Sequence, residues 1–596
     1  MKNNILIAVA IVLSVLSTSC QQKKEVNTQN QADKVSIATY FQNYYDERLK
    51  LFPLEATANG ENRYNDQLPN DISESYRMKV KAFYESQLKT LESYNRDELS
   101  HDEQISYDLL KWDLQNGIEG FRFADNLTPI NQFWSLPLTF GQLGSGKGNQ
   151  PFNTVKDYEN FLSRINGFEI WCDTAIVNMR KGLATGNTVT KILVQRIIPQ
   201  MKDMLVSDVK ESIFYMPVKN FPESFTSEEK AKLEASYITA ITQQIIPSYK
   251  KLFDFFTNEY LPKCRTTIGI KDLPDGADEY NYLIKYYTTT TITPDSAFNL
   301  GMSEVNRLHA EMELIKNETG FKGDLKAFFK FMNTDKQFFP FKKPEEVILT
   351  FNKIHEQMEP QLKNLFDVTP KSKFEVRQTE KFREASASAE YNPGTADGSR
   401  PGIFYVPIPD ARKFNTFAME DLFLHEAIPG HHFQNMLTAE NENLPMFRRF
   451  IWYGAYGEGW ALYTESLGKE LGLYQDPYQY FAALSEEMHR AIRLVVDVGI
   501  HMKGWSREEA IKFSMEHEGE SEEAITAEVE RYMAIPGQAL SYKIGQLKIQ
   551  QLRKQAQETL GDKFDIRKFH NEILNDGCLP LAVLEAKMSR WVESMN

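Results

Sequence analysis

The sequence predicts a mainly α fold. Three observations carry this: long segments with a 3.6-residue apolar rhythm, helix punctuation at their ends, and a scarcity of strand-like runs. The rhythm is clearest in YRMKVKAFYESQLKTLESY (Tyr76 to Tyr94), YENFLSRINGFEIWCDTAIVNMRKGLATG (Tyr158 to Gly186) and PDSAFNLGMSEVNRLHAEMELIKNETG (Pro294 to Gly320). Thr293-Pro294-Asp295 opens the last of these with a capping residue and a proline that loses nothing in a first turn, and Gly320 closes it. The clearest strand signal is GIFYVPIP, Gly402 to Pro409, preceded by the turn-rich EYNPGTADGSRP. It predicts a small β element just before the helix that resumes at FNTFAMEDLFLHEA.

With 42% hydrophobic and 25% charged residues, the 596-residue chain has the composition of a globular protein able to bury a large core. No fixed-period repeat and no Pro/Gly/Ser-rich linker divides it, so residues 38–596 read as a single domain. The net charge of -14 leaves no basic footprint for nucleic acid, which is excluded as a partner.

Lys2 precedes a twelve-residue apolar run, Ile5 to Leu16, then Ser-Thr-Ser and Cys20. The run is too short to span a bilayer and reads as a signal peptide over residues 1–19. The L-S-T-S-C ending resembles a bacterial lipoprotein signal, with Cys20 the lipidated first residue of the mature chain and residues 20–37 a polar tether. This predicts an envelope protein held to the membrane by an N-terminal lipid anchor. Cys172, Cys264 and Cys578 remain, too few and too widely spaced for a disulfide framework.

The chemistry concentrates in LFLHEAIPGHHFQ, Leu422 to Gln434, which holds three of the ten histidines. His425-Glu426 is the first half of the zinc-peptidase motif H-E-x-x-H, in which the glutamate acts as base for a metal-activated water. Pro429 stands where the second histidine belongs. On an unbroken helix His431 or His432 would lie about 9–10.5 Å along the axis from His425, too far to share an ion. Pro429 cannot donate to the His425 carbonyl and Gly430 is permissive, which predicts a kink that returns one of the two histidines to the metal.

GAYGEGWALYTESLG, Gly454 to Gly468, carries Glu458 and Glu465 two helical turns apart on one face. A carboxylate from a second helix completes a two-histidine, one-glutamate zinc site. Glu458, between two glycines, is the candidate ligand, and Glu465 the carboxylate that orients a histidine ring or a tyrosine behind it. ERYMAIPGQALSYKIGQLKI has a Pro536-Gly537 break and brings Tyr532, Gln538 and Tyr542 as cleft candidates, Tyr542 as donor to a developing oxyanion. Arg400, Arg531 and Gln538 are candidates to hold the substrate backbone or a terminal carboxylate. The segment around Phe404 and Tyr405 is expected to pair with the peptide as an added strand. The acidic run EHEGESEEA around His517 reads as solvated surface, and His489 as a lone histidine without a role at the metal.

The set D-G-S-R-P-G (Asp397 to Gly402), H-E-A-I-P-G-H-H (His425 to His432), E-G-W-A-L-Y-T-E (Glu458 to Glu465) and R-Y-M-A-I-P-G-Q-A-L-S-Y-K-I-G (Arg531 to Gly545) resembles a bacterial family of unknown function placed among the zincin-type metallopeptidases. P-L-E-A-T-A-N-G (Pro53 to Gly60) is similar to that family's opening, so the resemblance spans the mature chain. It implies a large helical, gluzincin-like metallopeptidase fold with a deep cleft, like carboxypeptidase Taq and the angiotensin-converting-enzyme and oligopeptidase groups, with the metal-site half at about residues 391–596. Carboxypeptidase Taq has a further glutamate seven residues beyond its ligand glutamate, which favours Glu458 as third ligand. The expected function is zinc-dependent hydrolysis of short peptides. The alternative is a non-catalytic envelope lipoprotein that binds peptide or metal, in which Glu426 has no work to do.

Overall fold

Ser36 accepts from the Thr39 amide and opens helix α1 (Ile37–Leu51), one residue inside the span read as tether. The computed structural model describes residues 35–595, apart from 382, 383, 385–387, 396, 397 and 399, so the signal peptide and Cys20 lie outside the described residues. Helix α2 (Glu74–Leu91) fills the first periodic segment, and α3 (His101–Gly120) starts from a Ser100/Glu103 capping box. The second segment is α4 (Val155–Thr185), opened by a Thr154/Asp157 capping box and ended at Gly186, whose φ of 86° is the left-handed cap that glycine adopts freely. Helix α5 (Gly276–Thr288) precedes α6 (Pro294–Glu318), where Thr293 accepts from the Ser296 amide as its position predicts. The fold is mainly α.

The β element is a three-stranded sheet of β1 (Phe374–Gln378), β2 (Glu390–Asn392) and β3 (Gly402–Val406) in the order β1-β3-β2. β3 pairs in parallel with β1, Val376 beside Phe404, and antiparallel with β2, Tyr391 beside Phe404. Both edges of β3 are therefore occupied. A peptide cannot add to it at Phe404 or Tyr405, which corrects that expectation.

After the sheet come α7 (Met419–Glu426), α8 (His431–Glu440), α9 (Gly454–Glu465), α10 (Pro477–Val498), α11 (Glu522–Ala534), α12 (Leu540–Leu560) and α13 (Ile566–Leu574). Two hydrophobic cores form, and α6 and α10 serve both: Ala297 and Leu494 pack into one, Val305, Leu308, Met488 and Val495 into the other. Cys172, Cys264 and Cys578 are buried free thiols. Among the described residues no helix is long and apolar enough to cross a membrane.

Helices α9 and α12 cross at glycines. A Cβ on Gly459 would stand 2.5 Å from the Gly545 Cα, and one on Gly545 would collide with the Ala455 carbonyl oxygen. Small residues at both positions let the backbones approach, which seats α9 and its glutamates in the core.

Candidate metal centre

Helix α7 ends at Glu426 and a separate helix, α8, begins at His431. The kinked single helix expected from Pro429 is thus two helices joined by the turn Ala427 to Gly430, with the Ile428–Pro429 peptide cis. Gly430 is required by close approach, since a Cβ there would collide with the carbonyl oxygens of Leu424 and His425. Helix α9 satisfies the carbonyls this turn leaves open: Thr464 Oγ1 donates to Leu424 O at 2.9 Å and Trp460 Nε1 to Pro429 O at 2.9 Å. Trp460, Tyr463 and Thr464 are buried, so the helix that carries the glutamates also clamps the turn that carries the histidines.

The turn brings His431 to His425. Their rings stand edge to face at 4.9 Å. Glu458 Oε2 lies 3.6 Å from His425 Nε2 and 3.7 Å from His431 Nε2, and the donor atoms of the three residues all fall within 4.8 Å of one another. Glu465 Oε1 takes the other nitrogen of His425, Nδ1, at 2.6 Å. The two glutamates bracket one imidazole: with Nδ1 donating to Glu465, Nε2 faces the space shared with His431 and Glu458. Behind them the Tyr474 hydroxyl sits 3.1 Å from Asp421 Oδ1 and 3.0 Å from the Glu465 carbonyl oxygen.

The electrostatics follow from burial and these pairs. Burial alone would lower the His425 pKa, but Glu458 and Glu465 outweigh it and hold it well above the ordinary value. Burial would raise Glu458, yet the two histidines hold its carboxyl far below the usual carboxylate range. Glu426 is pushed up by burial, opposed by His425 and His431 and by a hydrogen bond from the Tyr391 backbone of β2.

His432 belongs to another environment, which corrects its place among the candidate ligands. Its Nδ1 meets the Tyr391 hydroxyl at 2.8 Å, Phe374 packs 5.2 Å from its ring, and burial pushes its pKa down to about 4. Gly402 makes room for this pair, because a Cβ there would collide with the Tyr391 hydroxyl. One residue of helical advance, a rotation of about 100°, separates the two histidines and sends His431 to His425 and Glu458 and His432 to Tyr391 and Phe374.

Arg531, Gln538 and Tyr542 come together as a group. Arg531 Nη2 donates to Gln538 Oε1 at 2.8 Å and lies 3.4 Å from the Tyr542 hydroxyl, while the Arg493 guanidinium sits 4.6 Å over the Tyr542 ring. Among the described residues, none of these contacts reaches His425, His431 or Glu458. Arg400 is exposed, its amide donating to Thr395 Oγ1 at 3.0 Å. Tyr405 sits in the central strand, in register with Arg377 and Glu390.

The sequence reading missed Trp452, whose ring lies 6.0 Å from that of His431, and Arg493. Arg493 Nη2 donates to Glu528 Oε2 at 2.9 Å, and its Nε and Nη1 are buried without partners among the described residues. His489, read as a lone histidine, bonds through Nδ1 to Glu518. Glu518 is buried rather than part of a solvated run, and no periodicity of α10 flagged His489 or Arg493.

The fold is shared with solved structures. One, from Colwellia psychrerythraea and described as a "putative lipoprotein", superposes with a TM-score of 0.85 at 27% identity, covering 94% of this chain and 99% of that one. Another, from Shewanella oneidensis and described as a "putative lipoprotein of unknown function", gives 0.74 at 20% identity over 93% and 100%. No curated protein matches. The sequence profile described as "Bacterial protein of unknown function (DUF885)" matches residues 53–588, and the chain belongs to that family.

Proposed function

We propose that the protein is a zinc-dependent peptidase of the zincin type that hydrolyses short peptides at the bacterial cell envelope, anchored through a lipid on Cys20. The observation that carries this is the convergence of His425 Nε2, His431 Nε2 and a Glu458 carboxylate oxygen within 4.8 Å of one another, next to the buried acid Glu426, which is not one of the three donors. Two imidazoles and one carboxylate are the donor set of a catalytic zinc site that keeps a fourth position open. Bound there, zinc supplies Lewis acidity and lowers the pKa of water.

The chain's own groups do the rest. Glu465 fixes the His425 ring and its tautomer. Glu426, its carboxyl raised by burial, accepts a proton from the attacking water and returns it to the leaving amine. β2 lies at the edge of the sheet on the Glu426 side, so an extended peptide pairs with β2 rather than with β3. Arg531 and Gln538 serve as backbone or carboxylate holders and Tyr542 as the oxyanion donor, its hydroxyl oxygen accepting from Arg531 and its proton left free to donate. Envelope placement is supported by the L-S-T-S-C signal and by the lipoprotein descriptions of the two similar structures.

The test is metal analysis coupled to turnover. The account predicts one zinc per chain, cleavage of a short-peptide library, loss of cleavage on chelation and recovery with zinc. Stoichiometric zinc with an intact library would overturn it.

A further inference from the structure

A cavity of about 380 Å³ adjoins the candidate metal centre. Trp452, which packs on His431, forms part of its wall, and so does Gln538, the partner of Arg531. Its rim is aromatic and open to solvent: Trp134, Tyr286, Phe450 and Trp452 are all exposed. Exposed aromatic side chains gathered at one mouth mark a binding surface more than a packing defect.

The cavity also carries charge. Arg48 grips Glu55 through three hydrogen bonds, Nε to Oε1 at 2.8 Å and to Oε2 at 3.2 Å and Nη2 to Oε2 at 2.9 Å, so these two cancel. Asp113, on α3, is left over. Its carboxylate reaches Arg48 Nη1 only at 4.0 Å, beyond hydrogen-bond distance. Tyr453 lines the same cavity, and its hydroxyl is buried with no hydrogen-bond partner among the described residues. A surplus carboxylate, an unpaired hydroxyl and several π faces form a box that complements a cation, through Coulomb attraction, a hydrogen bond and cation–π contact together. An incoming anion would meet Asp113, with Arg48 already engaged.

We propose that this cavity is a subsite for a cationic group of the peptide, either a lysine or arginine side chain or a free terminal ammonium. The inference rests on the peptidase reading for its role in turnover, although cation binding itself does not. The subsite selects substrates in which the positive group lies close to the bond presented to Glu426.

Three small ligands titrated calorimetrically into the zinc-loaded full chain test it. They are Nα-acetyl-lysine amide (cationic side chain), norleucine amide (terminal ammonium) and Nα-acetyl-norleucine amide (neither). At least one cationic ligand is expected to bind ten-fold or more tighter than the neutral one, and which of them does so identifies the source of the charge. Asp113→Asn is expected to erase that difference while keeping zinc content and unfolding midpoint. Equal affinities for all three, or a preference that survives Asp113→Asn, would overturn the proposal. If Asp113→Asn does not fold, the wild-type comparison decides alone. Peptide cleavage without any cationic preference refutes the subsite and leaves the peptidase reading standing. Selective cation binding without cleavage does the reverse.

Discussion

Glu465 Oε1 stands 2.6 Å from His425 Nδ1, while Glu458 faces the opposite nitrogen of the same ring at 3.6 Å. One helix, α9, thus offers both a candidate metal donor and the carboxylate that orients its neighbour. Replacing Glu465 with alanine leaves the three donors in place but frees the ring. We expect zinc affinity to fall about 10–100-fold, measured by competition with a chromogenic chelator. Unchanged affinity would mean that packing alone holds His425.

His431 and His432 are adjacent in sequence and separate in role. His431→Ala removes one donor of the convergent set and should abolish stoichiometric zinc binding. His432→Ala breaks its bond to Tyr391 and should cost about 1–2 kcal/mol of stability while zinc is retained. Zinc content and urea unfolding of both variants check this, and a reversed pattern would refute the assignment.

The crossing of α9 and α12 leaves no volume for a side chain at Gly545. Gly545→Ala should destabilise the fold by about 3 kcal/mol or more, because α9 must shift away from the Ala455 carbonyl. The shift also moves Glu458, so zinc binding should weaken in parallel. Denaturant unfolding and metal titration on the same sample test both halves.

His570 is buried, with Nδ1 2.8 Å from the Leu365 carbonyl oxygen and Nε2 2.8 Å from the Tyr463 hydroxyl. Burial pushes its pKa down to about 3, from an ordinary 6.5. Below pH 6.5 the unfolded chain binds a proton that the folded chain refuses, so stability falls with acidification at about 1.4 kcal/mol per pH unit from this group. The Asp497 carboxyl, pushed up to about 7 by burial, acts in the opposite sense, so the comparison must be made against a variant. Glutamine at position 570 can keep both hydrogen bonds without titrating. Between pH 7 and 5 the wild type should lose about 2 kcal/mol more than His570→Gln. Parallel pH dependences in urea unfolding would contradict this.

The legible parts of the sequence were those fixed by local physics. Capping at Thr293 and the glycine end at Gly320 depend on a few neighbouring residues, and they formed as read. The seven-residue spacing of Glu458 and Glu465 likewise survives folding because a helix preserves it. What could not be read is set by the path of the chain between elements. A proline excludes the H-E-x-x-H helix, but whether the chain then bends or breaks depends on Trp460 and Thr464, which come from another helix. The choice between His431 and His432 depends on Tyr391, which arrives from the sheet. Strand order is non-local too, and so β3 looked open to a peptide when β1 and β2 cover it. The Asp113 cavity gathers residues from six separated regions of the chain and has no sequence motif.

The most direct measurement is zinc content and peptide turnover in Glu426→Gln beside the wild type. Glu426 lies next to the donor set and is not part of it. The account predicts full zinc in both proteins, cleavage by the wild type, and a loss of kcat of at least about 100-fold in the variant, the range for removal of a general base. Cleavage at the wild-type rate by a zinc-loaded Glu426→Gln protein would contradict it.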